Sequence, residues 1–155
     1  GFEGIEDLGN KIKHILQSEN IDIVIMAAAG SDWVVDKVYD QNGNLITENG
    51  KMSSDEPPII HFKKAPKILG KIKGWDPKTL LVGFKLEATE DVDYLIQRAK
   101  LRMKESNANI MVANSSQSLY GDVQHYIISQ TGDVIEVQGK EQTARTLLEI
   151  LCEKV

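Results

Sequence analysis

The chain has 155 residues, enough for one domain with a real core and too few for two. With 41% hydrophobic and 26% charged residues it reads as globular, which excludes a disordered or membrane-embedded chain. A net charge of −5 argues against general nucleic-acid binding. No apolar run approaches the ~20 residues of a spanning helix, and no signal-peptide pattern opens the chain. A cytoplasmic protein without a membrane partner is therefore expected. The single cysteine, Cys152, excludes an internal disulfide and fits a reducing compartment. It falls on the last expected helix and is read as a small packing residue.

In chain order, Gly1–Asn20 contains a helix with Ile5, Leu8, Ile12, Ile15 and Leu16 on one face. Ile21–Ala29 is nearly continuous in apolar residues, the pattern of a strand central to a sheet. Gly30-Ser31-Asp32-Trp33 follows at its carboxyl end. Asp32 there can hold a metal ion or a ribose hydroxyl, and it can equally cap a turn. Val34–Tyr39 and Leu45–Thr47 flank Gln41-Asn42-Gly43-Asn44, a hairpin signal, and the polar arm so formed carries Lys51 near its base. Pro57–Phe62 suits an edge strand, with prolines only at its start. Pro66 then sits near the first turn of a short helix entered through Lys63, Lys64 and Lys67.

Thr79 to Asn114 reads as strand, helix, strand. Thr79–Phe84 and Asn109–Ala113 are short apolar runs of the kind buried on both faces. Between them a helix opens at Thr89 or Glu90, with acidic residues in its first turn. Val92, Leu95, Ile96, Ala99 and Met103 form its inward stripe. Such a unit is a right-handed crossover, and ligands gather beyond the carboxyl ends of its strands. Lys100 and Lys104 share one flank of the stripe, while Arg98 and Arg102 point to solvent. The lysines either snorkel along the edge of the core or face a polyanion, and spacing leaves both open. Val123–Ser129 and Val134–Val137 form an antiparallel pair across Thr131-Gly132-Asp133. Lys140–Lys154 closes the chain as a helix with Ala144, Leu147, Leu148 and Leu151 inward. The whole of 1–155 is expected to be one α/β domain: a Rossmann-like, mostly parallel sheet flanked by helices, with a β-hairpin arm and an antiparallel C-terminal strand pair.

Several chemistries fall away. His14, His61 and His125 lie on separate elements without zinc-ligand spacing. There is no G-x-S-x-G elbow and no G-x-G-x-x-G or P-loop pattern, which removes a nucleophile elbow and a dehydrogenase-like dinucleotide site. The strand-end residues Asp32, Phe84 and Asn114 remain, with Lys51, Lys100 and Lys104, as groups able to converge on one anionic ligand.

The ordered segments AAAGSDW (27–33), GKMSS (50–54), KKAPKIL (63–69), LVGFKLEAT (81–89), the K-x-x-x-K of Lys100 and Lys104, and MVAN (111–114) resemble the phosphopantothenate–cysteine ligase family. The resemblance implies that the carboxylate of 4′-phosphopantothenate attacks the α-phosphate of CTP (ATP in some members). An acyl-nucleotidyl anhydride forms, and the amine of cysteine displaces the nucleoside monophosphate. It implies Mg²⁺ with the nucleotide, a homodimer built partly through the arm, and in some members a fused flavin-dependent decarboxylase. By position, Ala28, Asp32, Pro66, Ile68 and Phe84 match the nucleotide site, with Asp32 near the cation. Lys100 and Lys104 match the triphosphate lysines, Lys51 the arm lysine near the acyl phosphate, and Asn114 the end of a further motif. Ser115 stands where the family usually has aspartate. A segment that precedes this region in the family, with a G-G-T turn and an asparagine that grips the intermediate, is not found in the chain. Weak nucleotide binding with poor or no catalysis by this stretch alone is thus expected. A non-catalytic nucleotide-binding or dimerisation module is the alternative from another class.

Overall fold

The computed structural model describes all residues except 48, 120, 122 and 155. The chain forms two compact units, residues 1–8 with 29–67 and residues 9–28 with 68–155. Helix α1 (Ile5–Ser18) begins in the first and continues in the second.

The second unit is built on a five-stranded sheet: β1 (Ile23–Met26), β4 (Leu80–Glu87), β5 (Ile110–Ser115), β6 (Gln124–Ser129) and β7 (Val134–Gln138), side by side in that order. β1, β4 and β5 are parallel, and β6 and β7 add to them antiparallel. β4 reaches β5 through helix α3 (Val92–Ser106), the expected crossover. Both faces of the central strands are apolar, so both carry helices. On one face Leu81, Met111, Ala113, Tyr126 and Ile128 pack with Leu95 and Ala99 of α3, Leu69 and Ile72 of α2 (Leu69–Trp75), and Leu16 of α1. On the other, Val82, Ile110, Val112, Ile127 and Val137 meet Leu147 and Leu151 of α4 (Gly139–Cys152).

Local chemistry fixes the ends of α3. Asp91 Oδ1 accepts a hydrogen bond from the Tyr94 N–H at 3.0 Å, satisfying one donor of the first turn. Asn107 adopts the left-handed conformation at φ 52°, and the Ala108 N–H returns to the Met103 carbonyl at 3.1 Å, which ends the helix. Asn109 then ties the chain to the start of β4, accepting at its Oδ1 from the Leu81 N–H at 2.9 Å.

The first unit holds a two-stranded antiparallel sheet, β2 (Trp33–Tyr39) with β3 (Ile59–Lys64). The hairpin signal at 41–44 is a real turn: Asp40 Oδ1 accepts from the N–H groups of Asn42 and Asn44, and Gly43 sits at φ 83°. Leu45–Thr47 contributes only a single bridge to Tyr39, and the Pro57–Phe62 segment supplies the true partner strand.

Other expectations are corrected. β1 is shorter than Ile21–Ala29 and lies at the border of the sheet, with β4 as its strand partner among the described residues and Ile25 51% exposed. An apolar run records how little a strand tolerates water, not its rank in the strand order. β4 runs three residues beyond Phe84 and β5 two beyond Ala113. On α4 the inward row is Thr143, Leu147 and Leu151, while Ala144 and Leu148 are exposed. Ile15, Val92 and Cys152 are also exposed.

Gly83 marks a tight layer contact on the α3 side. A Cβ there would stand 2.9 Å from Leu69 Cδ2 and 2.9 Å from Met111 Cε. Both neighbours are ends of flexible side chains, so Gly83→Ala is expected to cost little. Gly83→Val overpacks the layer and is expected to lose about 1–3 kcal/mol in urea denaturation. Equal stability of the valine variant and the parent would contradict this packing.

Candidate functional site

In the second unit the carboxyl ends of the parallel strands come together. Met26 is opposite Gly83, Phe84 opposite Val112, and Leu86 opposite Asn114. Ala28, two residues past β1 and exposed, therefore borders the same end of the sheet as Phe84 and Asn114. Phe84 is partly buried on the α4 face. Asn114 is half-buried, and its Nδ2 donates to Ser118 Oγ at 3.0 Å. Ser118 belongs to the 3₁₀ turn Ser116–Leu119 and is 1% exposed, so the amide is held by a partner with no freedom to leave.

Directly opposite Asn114 on β6 lies His125, 5% exposed. Its Nδ1 is 2.8 Å from Thr143 Oγ1, and Thr143 Oγ1 donates to the Gly139 carbonyl at 2.7 Å. A hydroxyl has one proton, so Thr143 accepts from the ring and Nδ1 carries the hydrogen. In the neutral ring Nε2 is then the lone-pair nitrogen. Ser118, His125 and Thr143 thus make a buried polar group beside Asn114. Spacing could not find it, because its members are far apart in sequence and meet only through the β5–β6 pairing and the start of α4.

The other face of the same strand end carries a cavity of about 370 Å³ between the start of α3 and the ends of β5 and β6. Glu90, Asp91, Ser115, Gln117, Gln124 and Tyr126 supply its polar wall, and Leu95 part of its apolar one. Gln117 Nε2 donates to Glu90 Oε1 at 2.8 Å. Next to it, Glu87 at the end of β4 accepts from Lys85 at 2.9 Å and from Arg98 at 3.1 Å. The hydrogen bond from Lys85, and then that from Arg98, hold the Glu87 carboxyl below the usual range. Arg98 therefore does not simply point into water, and Arg102 pairs with Glu105.

The two lysines singled out in the sequence lie on α3. Lys100 and Lys104 are exposed and make no side-chain bond to a described residue. Lys104 lies in the last turn of α3, five residues before Asn109, which is tied to the start of β4. Twelve residues of helix, roughly 18 Å of rise, separate it from Val92. Ile68, just ahead of α2, is 5% exposed, with its Cδ1 filling the space at Gly9. Its side chain is core and offers little surface to a base.

Asp32, Lys51 and Pro66 belong to the first unit. Asp32 is ion-paired to Lys67, and its carbonyl accepts from the Ala65 N–H at 2.9 Å. Lys51 is exposed and Pro66 half-buried. Among the described residues no group of three or more His, Cys, Asp or Glu could hold a metal ion. A Mg²⁺ that arrives with phosphates needs one or two protein carboxylates, and Asp32 could supply one on giving up Lys67.

The buried histidine yields a direct prediction. Thr143→Val removes the acceptor of the His125 Nδ1–H and is expected to destabilise the chain by about 1–3 kcal/mol, with Thr143→Ser recovering most of the loss. Urea denaturation of the two variants checks this, and a valine variant as stable as the serine one would refute it.

Residues 3–154 match the family described as DNA/pantothenate metabolism flavoprotein C-terminal domain. The coenzyme A biosynthesis bifunctional protein CoaBC of Methanocaldococcus jannaschii is 32% identical over 146 residues, covering 92% of this chain and 33% of that protein. The phosphopantothenate–cysteine ligase of Mus musculus is 30% identical over 124 residues, covering 79% of this chain and 37% of that protein. The chain thus spans about a third of the length of the curated relatives it matches. The crystal structure of the DNA/pantothenate metabolism flavoprotein from Streptococcus pneumoniae superposes with a TM-score of 0.84 at 24% identity, over 99% of this chain and 72% of that one, a likeness of fold. The strand-end geometry, the ordered motifs and these matches agree: the chain belongs to the DNA/pantothenate metabolism flavoprotein C-terminal domain family, the one that includes the phosphopantothenate–cysteine ligase domains.

Proposed function

We propose that this domain carries out nucleotide-activated amide synthesis in coenzyme A assembly, joining 4′-phosphopantothenate to cysteine through an acyl-nucleotidyl intermediate. The observation that carries the reading is the meeting of Ala28, Phe84 and Asn114 at the carboxyl end of three parallel strands, where α/β sheets bind their ligands. The names of the relatives point the same way.

In this reading the nucleotide is CTP or ATP, entering with its Mg²⁺ as co-substrate. Ala28 and Phe84 face the nucleoside, and Pro66 and the backbone at Ile68 border it. Asp32 serves the ribose or the cation. Lys100 and Lys104 supply positive charge to the phosphate chain, where charge builds as pyrophosphate leaves, and Lys51 acts near the acyl phosphate when the amine of cysteine attacks. Asn114, held by Ser118, presents the rest of its amide to the reacting carbonyl. Such a site would act in the cytoplasm, and a fused or associated flavin-dependent decarboxylase is proposed as partner, in keeping with the bifunctional relatives.

A homodimer formed through the β2–β3 sheet belongs to the same proposal. A two-stranded sheet is marginal alone, and this one leaves Trp33, Val35, Ile60 and Phe62 between 43% and 58% exposed. A partner copy would remove that apolar surface from water. We further propose that residues 1–155 alone turn over slowly: among the described residues β1 pairs with a strand along one edge only.

Lys51→Ala separates a ligase from a contact module. The ligase reading expects CTP·Mg²⁺ to raise the melting temperature of parent and variant alike. It also expects pyrophosphate release with phosphopantothenate and cysteine, low in the parent, to disappear in the variant at unchanged mass in solution. A variant that alters the mass and leaves pyrophosphate release untouched would overturn the ligase reading, and near-normal turnover by the parent chain would overturn the claim that this stretch is catalytically weak.

A further inference from the structure

Two ion pairs join β2 to β3 and the chain that follows it, and they differ in kind. Lys63 and Asp36 meet at 3.5 Å within the paired strands, where tying the ladder explains them. Lys67 and Asp32 meet beyond the strand ends, Asp32 just before β2 and Lys67 three residues past β3. They belong to the segments AAAGSDW and KKAPKIL, which the ordered motifs single out.

The backbones that carry this second pair are fixed. The Asp32 carbonyl accepts from the N–H of Ala65, itself 6% exposed, at 2.9 Å. Ser31 Oγ accepts from the Trp33 N–H at 3.2 Å and donates to the Trp33 carbonyl at 2.7 Å. Pro66 restrains the backbone just ahead of Lys67. The side chains, by contrast, are open to solvent, 56% exposed at Lys67 and 69% at Asp32. Water screens such a pair, so parting it costs little. Two opposite charges are thus held in place by their backbones while their bond to each other is weak.

An exchange follows from this geometry. A carboxylate that turns to a ribose hydroxyl or to the cation of a nucleotide loosens its hold on its lysine, and the freed ammonium has phosphates at hand. One pair then becomes two, carboxylate with cation and ammonium with phosphate, and no charge is left over. Without a cation the same phosphates would have to pull Lys67 from a carboxylate that afterwards faces them as a like charge.

We propose that Lys67 is a phosphate-binding lysine of the nucleotide site, and that Asp32 competes with the phosphate chain for it. The assignment rests on the ligase reading. It adds a cation that the motif matching passed over, and a reason within the chain for the nucleotide to bind better with its metal than without.

Calorimetric titration of the 155-residue chain with CTP, once with Mg²⁺ and once with EDTA, tests it. Lys67→Met is expected to weaken CTP·Mg²⁺ about tenfold, the scale of one charge-assisted hydrogen bond. Lys67→Arg is expected to keep most of the affinity. Asp32→Asn removes the competitor and is expected to strengthen metal-free CTP about fivefold, the scale of one exposed ion pair. Adding Lys67→Met to Asp32→Asn is expected to abolish that gain. A pair that only ties two loop ends predicts lower melting temperatures at unchanged affinities, and that result would overturn the proposal. So would a metal-free gain in Asp32→Asn that survives the loss of Lys67. Absence of CTP·Mg²⁺ binding by the parent chain would instead count against the ligase reading itself, which keeps the two failures apart.

Discussion

The parallel pairing of β4 with β5 is the constraint on which the sheet unit depends. Leu81, Val82, Ile110, Met111, Val112 and Ala113 are at most 1% exposed, so neither face of this pair can turn to water. Burial on that scale demands helices on both sides, and the crossover through α3 covers one of them. It also dictates where polar chemistry can reside. Polar side chains are excluded from the middle of the pair and appear where the strands emerge, at Glu87, Asn114 and Ser115. Fold and site thus follow from the same apolar run.

The two faces of that strand end differ in kind. On the α4 side Asn114, Ser118, His125 and Thr143 form a closely buried polar group in which each identified bond has a fixed donor and acceptor. Such a group costs stability if left incomplete and rigidifies its surroundings when complete. On the α3 side the wall is polar and the space is open. Glu87 at the end of β4 pairs with Lys85 and Arg98.

Much of this was legible in the sequence. The strand–helix–strand unit, the antiparallel pair across Gly132 and the family itself followed from local patterns, while α3 opens at Val92 behind the cap Asp91, later than the expected Thr89 or Glu90. What escaped was whatever depends on neighbours far along the chain. Ile21–Ala29 looks central because all but Asp22 in it are apolar, but strand order is set by crossovers. Leu45–Thr47 followed a good turn and still lost its place to Ile59–Lys64, because register over six residues outweighs a local hairpin. His125 was weighed only as a metal ligand, since its partner Thr143 lies eighteen residues away. Leu148 replaced Thr143 in the expected stripe because a buried threonine with its hydroxyl satisfied is invisible to hydrophobic periodicity.

The central claim is that ligands bind at the carboxyl ends of β4 and β5. Hydrogen exchange of the chain with and without CTP·Mg²⁺ addresses it most directly. Slower exchange is expected in the segments 84–89 and 114–118, with α4 and β7 unchanged. Protection confined to the β6–β7 turn or to the amino ends of the strands, with none at those segments, would contradict the account.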